Sequence, residues 1–241
     1  MTHLLYQTDS YLSEFEATIT GSDPETGGIV LDRTAFYPGG GGQAADSGSL
    51  AVSGHTWTVA GFKRTGASLV HLLGGEAADL PAVGEAVIGK LDWERRYRLM
   101  RTHTAMHILC GVVFRDYGAS VTGGNMEPLE GRMDFEFETM RAELVGEIEH
   151  AIHAEVNAGR EVRVRILPRE EAFRIPDLIR TKINLLPEGI QEVRTVEIVG
   201  LDLQADGGTH VRNTAEVGPL KVSDYKSKGK INKRIYVSLE H

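Results

Sequence analysis

Hydrophobic and polar residues alternate in short segments over the first third of the chain. Residues 15–19 and 55–59 are examples, and turn-forming residues separate such segments from one another. A period of two residues is typical of strands with one buried face. We therefore expect a small, glycine-rich all-β domain, a barrel or a sandwich, over residues 1–90.

The period changes at Asp92, a residue type that often caps helices. Hydrophobic residues then recur at steps of three and four until Tyr117 and Gly118, which predicts one long helix with a buried stripe. Residues 119–138 alternate again and predict strands. A second helix is expected over residues 141–158, ending at a glycine. Its predicted buried face consists of Leu144, Ile148, Ile152 and Val156.

The last third of the chain mixes both periods. Residues 161–167 predict a strand, and residues 169–180 predict a helix that Pro176 interrupts. Three or four further strands are expected after Glu192. Helices packed on an antiparallel sheet would make residues 91–241 an α+β domain. The predicted fold class is therefore α+β, with a β-barrel-like domain preceding an α+β domain.

Two pairs of metal-ligand residues stand out. His103 and His107 are four residues apart on the first predicted helix, so they project from one face, where two imidazoles can bind one ion. Asp206 and His210 are also four apart, around a flexible Gly-Gly turn. Together they offer four nitrogen and oxygen ligands, the number that a tetrahedral zinc site uses.

Each pair also has a purely structural explanation. A histidine pair on a helix can be polar surface or a satisfied buried group, and Asp-Gly-Gly can simply form a turn. The zinc-protease pattern needs a glutamate directly after the first histidine, but Thr104 stands there. The sequence thus argues against protease chemistry.

Composition narrows the possible functions. The net charge of −8 argues against a protein that coats nucleic acid, DNA included. The single cysteine, Cys110, cannot form an internal disulfide and lies in an apolar stretch, so we expect a buried thiol. We find no apolar run of membrane-spanning length and no basic-then-apolar leader, and expect a cytoplasmic protein without a membrane partner.

Positive charge is concentrated near residue 230, where the only acidic residue is Asp224. Such a strip on an acidic protein favours a positioned contact with phosphate. A strand edge protected by lysines is the alternative explanation. The predicted tRNA-binding residues in this strip are Lys226, Lys228, Lys230, Lys233 and Arg234.

Taken together, the motifs resemble those of a known family. They are similar to the editing domain of alanyl-tRNA synthetase and its free-standing relatives, the AlaX proteins, which also resemble the editing domain of threonyl-tRNA synthetase. The resemblance covers essentially the whole chain. Its segments, in matching order and spacing, are 35–43 with Asp46 and Gly48, 101–107, 206–210 with Val211, Thr214 and Gly218, and 228–234.

This resemblance implies one zinc ion bound by His103, His107, position 206 and His210. The family usually has cysteine where this chain has Asp206. A carboxylate is a harder donor than a thiolate and shifts the preference toward other divalent ions. Three alternatives stay open: Asp206 binds the ion directly, it acts through water, or three histidines hold the ion weakly.

The glycine-rich segment resembles that of the medium-length AlaX subgroup. The implied activity is metal-dependent hydrolysis of mischarged tRNA(Ala), chiefly Ser-tRNA(Ala) and secondarily Gly-tRNA(Ala), with the tRNA acceptor end as partner. The resemblance also implies that this segment shapes the amino-acid pocket. The residues involved would be Gly40, Gly41, Gly42 and Gln43.

Discrimination between serine and alanine requires a group that binds the serine hydroxyl. Thr122 is the first candidate, because relatives place a threonine near that position, and Thr104 is the second. An ordinary structural role is the alternative for either threonine. For the whole chain, the competing interpretations are a non-catalytic tRNA-binding module and a metal hydrolase acting on another acyl ester.

Overall fold

The computed structural model describes residues 1–74, 80–137, 141–182, 186 and 189–241. They form two compact units: the first comprises Met1–Gly40 and Ala44–Tyr97, and the second comprises Gly41–Gln43 and Arg98–His241. The architecture is α+β with a closed N-terminal barrel and antiparallel sheets. The predicted fold class is thereby confirmed, whereas the predicted domain limits, 1–90 and 91–241, stay a prediction.

The first unit contains a closed six-stranded barrel and a short parallel strand pair. The pair is β1 (His3–Leu4) with β4 (Arg33–Thr34). The barrel strands are β2 (Glu14–Asp23), β3 (Gly28–Leu31), β5 (Gly48–Val52), β6 (His55–Thr65), β7 (Ser68–Leu73) and β8 (Ala86–Leu91). They pair in the order β2-β3-β7-β6-β5-β8.

The barrel core follows from the period of two in the sequence. In β8, exposed and buried residues alternate from end to end, so one face of the strand packs inside and the other faces water. Both segments predicted from alternation, 15–19 and 55–59, lie in barrel strands, β2 and β6. Members of the core include Phe15, Ile19, Leu31, Phe36 and Leu50.

A buried ion pair stabilises the glycine-rich region within the first unit. Arg96 binds the Asp46 carboxylate, and its guanidinium also donates to the carbonyls of Ser10 (2.9 Å) and Ala35 (2.6 Å). The Tyr37 amide donates to the same carboxylate at 2.6 Å. Because both charged groups of this pair have hydrogen-bond partners, the pair can be accommodated in the interior, and we assign Asp46 a structural role.

The second unit contains two antiparallel sheets and most of the helical residues. The helices are α1 (Trp93–Tyr117), which belongs to this unit from Arg98 onward, α2 (Ala142–Asn157) and α3 (Arg169–Ala172). The strands are β9 (Val121–Glu127), β10 (Glu130–Glu136), β11 (Val162–Pro168), β12 (Glu192–Ile198), β13 (Asp202–Ala205), β14 (Leu220–Ser227) and β15 (Asn232–Leu239). One sheet has the order β14-β15-β10-β9, and the other has the order β11-β12-β13.

Both long helices match their predictions. The Asp92 carboxylate accepts the Arg95 amide at 3.1 Å and so caps α1, while Gly118 follows its last residue with a positive φ of 62°. In α2 the buried residues include Ile148, Ile152 and Val156, as predicted. Leu144 is only half-buried, and its neighbour Val145 is buried instead.

The helix predicted over residues 169–180, with an interruption at Pro176, begins at Arg169 as expected but is shorter than predicted. The helix α3 ends at Ala172. The turns that follow are closed by hydrogen bonds that span three residues rather than four, such as the bond from the Ile175 amide to the Ala172 carbonyl. Pro176 disfavours helical backbone at the residue before it, and Asp177 has a φ of 55°. Three or four strands were expected after Glu192, and four are described, β12 to β15. Residue 138 of the predicted strand region 119–138 lies outside the described residues.

Helix α1 packs closely against both sheets of the second unit. A Cβ at Gly131 in β10 would lie 2.5 Å from the sulfur of Met106, and a Cβ at Gly111 would lie 2.9 Å from the Cβ of Asp202 in β13. Cys110 is buried in this part of the helix, as expected. The glycines therefore allow the close approach that brings His107 next to β13.

Within the described residues, no helix combines the length and the apolar character needed to span a membrane.

Candidate metal centre

The two residue pairs predicted from spacing meet in the second unit. One ligand atom from each of His103, His107, Asp206 and His210 lies within 4.8 Å of all the others. The ring centroids are 5.1 Å apart for His103 and His107, 4.1 Å for His103 and His210, and 4.6 Å for His107 and His210. Two segments about a hundred residues apart in sequence thus form one buried cluster.

The Asp206 carboxylate is the common neighbour of the three rings. Its Oδ2 is 3.0 Å from Nε2 of His210, and its Oδ1 is 3.5 Å from Nε2 of His103 and 4.0 Å from Nε2 of His107. Every ring therefore directs the same nitrogen inward. Three imidazole nitrogens and one carboxylate oxygen are a donor set that zinc and related divalent ions accept.

The outward-facing nitrogens also have defined neighbours. Nδ1 of His103 is 2.9 Å from the side-chain oxygen of Gln43, and Nδ1 of His210 is 3.2 Å from the Thr104 hydroxyl. Nδ1 of His107 is 3.6 Å from Asp202, slightly beyond hydrogen-bond distance. Metal-bound histidines usually have an oxygen partner at the second nitrogen. The residues present therefore fit a divalent ion.

The turn that carries Asp206 is fixed by its backbone. The Asp206 amide donates to the Arg194 carbonyl at 3.1 Å, and the Arg194 guanidinium donates to the Asp206 carbonyl at 2.9 Å. The Gly208 amide donates to the Asp206 carboxylate at 2.7 Å. A Cβ at Gly208 would overlap the His103 ring and lie 2.6 Å from Oε1 of Gln43, so this position requires glycine.

Burial and mutual charge set the protonation of the cluster. Burial lowers the pKa of His103 well below its ordinary value and that of His210 to about 4. Burial opposes the charged form of His107 too, but Asp202 and Asp206 outweigh it and raise its pKa. Burial opposes ionisation of Asp206, yet the three imidazoles lower its pKa well below the usual range. The ionised Asp206 and the neutral His103 and His210 are in the forms that bind a metal, whereas a protonated His107 would have to lose its proton when an ion binds.

Sequence reasoning missed Asp202, which lies behind His107. Its carboxylate is fully buried and accepts from Nε of Arg180 at 3.1 Å and from the Gln204 amide at 2.5 Å. The Arg180 guanidinium stacks over the ring of Phe114 at 3.7 Å. An acidic residue at the first position of a short strand has no distinctive spacing, so only the packing of α1 on β13 reveals this contact.

The glycine-rich residues occupy different environments. Gly40 is exposed, and its carbonyl accepts from the Tyr37 hydroxyl at 2.8 Å within the first unit. In the second unit Gly41 is exposed, whereas the Gly42 carbonyl accepts the Met126 amide at 3.0 Å. Gln43 is buried beside His103. Their contacts with a substrate stay a prediction.

The two candidate threonines also differ. Thr122 is exposed, and its hydroxyl donates to the Asn232 side chain at 2.8 Å. Thr104 is fully buried, and its hydroxyl accepts the Val211 amide at 3.2 Å beside His210. Thr104 therefore lies behind a candidate ligand and supports its position. Recognition of serine by either threonine stays a prediction.

The basic strip forms the hairpin of β14 and β15. Lys226 pairs with Asp224 at 2.9 Å, and Lys228 and Lys230 are exposed. The side chain of Lys233 is directed inward, where its ammonium donates to the Gly229 carbonyl at 2.7 Å. Arg234 forms two bonds with Asp134, at 2.6 and 2.8 Å. The last two cations thus have structural partners, and the tRNA-binding role of the strip stays a prediction.

Two family models match the chain. One, described as tRNA synthetases class II (A), matches residues 8–95. The other, described as the threonyl and alanyl tRNA synthetase second additional domain, matches residues 193–236. The second match includes the whole Asp206–His210 turn and most of the basic hairpin. Both ends of the chain are thus similar to parts of aminoacyl-tRNA synthetases.

Curated relatives extend this similarity over the full length. The alanyl-tRNA editing protein AlaX-M of Saccharolobus solfataricus is 39% identical over 100% of both chains. AlaX-M of Methanosarcina mazei is 38% identical over 99% of this chain and 97% of its own. The alanine–tRNA ligase of Ignicoccus hospitalis is 37% identical over 92% of this chain but only 24% of the ligase. The chain therefore belongs to the AlaX-M family of alanyl-tRNA editing proteins.

Proposed function

We propose that this editing protein hydrolyses the ester bond of mischarged tRNA(Ala) at a metal centre formed by His103, His107, Asp206 and His210. Ser-tRNA(Ala) is the chief substrate and Gly-tRNA(Ala) a second one, and the reaction takes place in the cytoplasm. The observation that supports the metal centre most is the convergence of four ligand atoms within 4.8 Å in the interior. Buried ionisable groups are costly to fold unless they are paired or bind an ion.

The substrate is an ester between an amino acid and the terminal ribose of tRNA. Its hydrolysis requires a positioned water, stabilisation of the carbonyl oxyanion and a proton for the departing ribose oxygen. A bound divalent ion would polarise the carbonyl or lower the pKa of the attacking water. We assign none of the four ligand residues to acid–base catalysis, and the neighbouring ribose hydroxyl is available for proton transfer.

The chain's own residues hold and orient the centre. His103, His107 and His210 bind through Nε2, because their Nδ1 atoms face Gln43, Asp202 and Thr104. Asp206 is the fourth ligand and binds directly, because its carboxylate lies 3.0 to 4.0 Å from all three Nε2 atoms. Zinc is the proposed ion, and the oxygen donor makes this centre more tolerant of harder divalent ions than a thiolate centre would be.

Substrate contacts are proposed from exposure and position. Lys226, Lys228 and Lys230 on the exposed hairpin bind tRNA phosphates. Thr122 and the exposed glycines of the glycine-rich segment contact the aminoacyl end. A site that hydrogen-bonds the serine hydroxyl can strongly reject alanine, because the site's polar group would be left unpaired.

The proposal is tested with zinc-loaded protein and three charged forms of tRNA(Ala). We expect release of serine and, more slowly, of glycine, with alanine left attached. Equal release of serine and alanine would contradict the proposed selectivity. Binding of tRNA without any release at saturating zinc would instead identify a non-catalytic binding module. A rate of ester hydrolysis unaffected by uncharged tRNA would identify a hydrolase of small acyl esters.

A further inference from the structure

The side chain of Gln43 makes three hydrogen bonds inside the second unit. Its Oε1 is 2.9 Å from Nδ1 of His103 and 3.0 Å from the backbone amide of Thr209. Its Nε2 donates to the Thr209 hydroxyl at 2.9 Å. The residue is only 3% exposed. One amide group thus connects His103 on α1 with the turn that carries two further candidate ligands, Asp206 and His210.

These contacts determine which ring nitrogen of His103 carries the proton. A backbone N–H of Thr209 can only donate, so the Gln43 atom facing it is the carbonyl oxygen. The same oxygen can only accept from His103, so Nδ1 of that ring is protonated. In the neutral imidazole Nε2 then carries a lone pair, and this atom lies 3.5 Å from the Asp206 carboxylate. The tautomer is the one that a metal ligand needs.

The backbone around Gln43 is held in place by β9. Gln43 forms a parallel bridge with Met126, whose amide donates to the Gly42 carbonyl at 3.0 Å. Gly42 has a φ of 88°, and a Cβ there would lie 3.3 Å from the Gly124 carbonyl oxygen. The glycine therefore lets the segment lie against β9, which places the Gln43 amide at the cluster.

The outer contacts of the other two rings are less selective. The Thr104 hydroxyl beside His210 can either donate or accept, so it fits both tautomers. The Asp202 carboxylate lies 3.6 Å from His107, beyond ordinary hydrogen-bond distance. Among the outer contacts described for the three rings, the one from Gln43 both selects a tautomer and binds the second ligand segment.

We propose that Gln43 is a positioning residue of the metal centre rather than a contact for the amino acid. It holds His103 in the Nδ1-protonated tautomer and fixes the Thr209 backbone, so that Nε2 of His103 faces the ligands of the 206–210 turn before the ion binds. This inference rests on the proposed function as far as the ion is concerned. Its tautomer component concerns the metal-free protein and can be tested independently.

Three variants separate positioning from general packing. Gln43→Leu removes both the acceptor and the donor at similar size, whereas Gln43→Glu keeps an oxygen that accepts from His103 and Thr209. The control is Gln191→Leu, since Gln191 is an exposed glutamine whose side chain donates to the Gly189 carbonyl. Circular dichroism reports whether each variant folds.

The first readout is the ¹⁵N spectrum of the histidine rings in metal-free protein at neutral pH. We expect wild type, Gln43→Glu and Gln191→Leu to show His103 protonated at Nδ1, and Gln43→Leu to show a mixture of tautomers or the other one. Protonation of His103 at Nε2 in the wild-type protein would overturn the inference, whether or not Gln43→Leu folds.

The second readout is zinc affinity, measured by competition with a chromogenic chelator. We expect Gln43→Leu to bind zinc about 10- to 100-fold more weakly, the usual effect of losing an outer partner of a ligand. Gln43→Glu should restore most of the affinity, and Gln191→Leu should leave it unchanged. Equal affinity of wild type and folded Gln43→Leu would contradict the positioning role. If the wild type bound no zinc, the proposed function would fail, and the ring spectra would still decide the tautomer.

Discussion

The ligand cluster and the basic hairpin of β14 and β15 belong to the same unit but differ in what their placement indicates. In the cluster, His103, His107 and His210 are buried around a carboxylate. In the hairpin, Lys228 and Lys230 face solvent. Burial of ionisable groups costs free energy that a compensating interaction must supply, whereas exposed lysines cost little. The geometry of the cluster therefore argues for a bound ion. The geometry of the hairpin argues only for a positively charged surface that is available for binding.

The largest effect is expected when cluster imidazoles are removed. His103→Ala combined with His107→Ala should abolish zinc binding and lower serine release on the order of 100-fold or more, because the ion that would activate the ester carbonyl or the attacking water is lost. His150→Ala is the matched control, since His150 is an exposed histidine on α2. Elemental analysis and single-turnover release of serine check this. A double variant with wild-type turnover would refute the role of the cluster.

Removal of the ion should have a similar effect without any mutation. Dialysis against a chelator should eliminate serine release, and added zinc should restore it.

Asp206→Cys should increase the preference for zinc over manganese, because a thiolate is a softer donor than a carboxylate. Titrations of both ions into wild type and variant measure the ratio. An unchanged ratio would indicate that position 206 does not bind the ion directly.

Two adjacent glycines provide a finer test. A methyl group at Gly208 would overlap the His103 ring, whereas nothing lies within 4 Å of the Cβ position at Gly207. Gly208→Ala should cost about 1–3 kcal/mol of stability through overpacking and weaken zinc binding about 10- to 100-fold. Gly207→Ala should change stability by less than about 0.5 kcal/mol. Thermal unfolding and zinc competition check both, and equal effects would contradict the close packing inferred at this turn.

The smallest effect is expected in the hairpin. Lys228→Ala and Lys230→Ala should each weaken tRNA binding slightly and reduce the slope of log affinity against log salt by about 0.7–0.9 per phosphate contact. Zinc affinity should not change. Lys63→Ala, which removes another exposed positive charge, on barrel strand β6, is the control. If Lys63→Ala reduced the slope as much, the hairpin would have no special role.

The sequence predicted the features that depend on local periodicity. Asp92 and Gly118 marked the ends of α1, and the four-residue spacing of His103 and His107 placed both rings on one face. These features are local because helix geometry alone determines them. The number and type of ligands suggested that Asp206 and His210 join that pair, and the resemblance supported it, but neither spacing shows the convergence itself, since it depends on how β12 and β13 pack against α1.

Other features could not be found in the sequence. The contact of Asp202 with His107 joins residues far apart in the chain, and so do the hydrogen bonds of the Gln43 side-chain amide. No spacing pattern identifies a buried residue as the outer partner of a histidine. The helix that begins at Arg169 was expected to continue until Pro176, but it ends at Ala172, and its exact end depends on local turns that the sequence pattern does not show.

X-ray absorption at the zinc edge tests the central claim most directly. For zinc-loaded wild-type protein we predict one ion per chain with three nitrogens and one carboxylate oxygen as protein ligands, at about 2.0–2.2 Å. His103→Ala should lose this signature. A sulfur ligand, a fully hydrated ion, or a wild-type protein that binds no zinc would contradict a centre formed by His103, His107, Asp206 and His210.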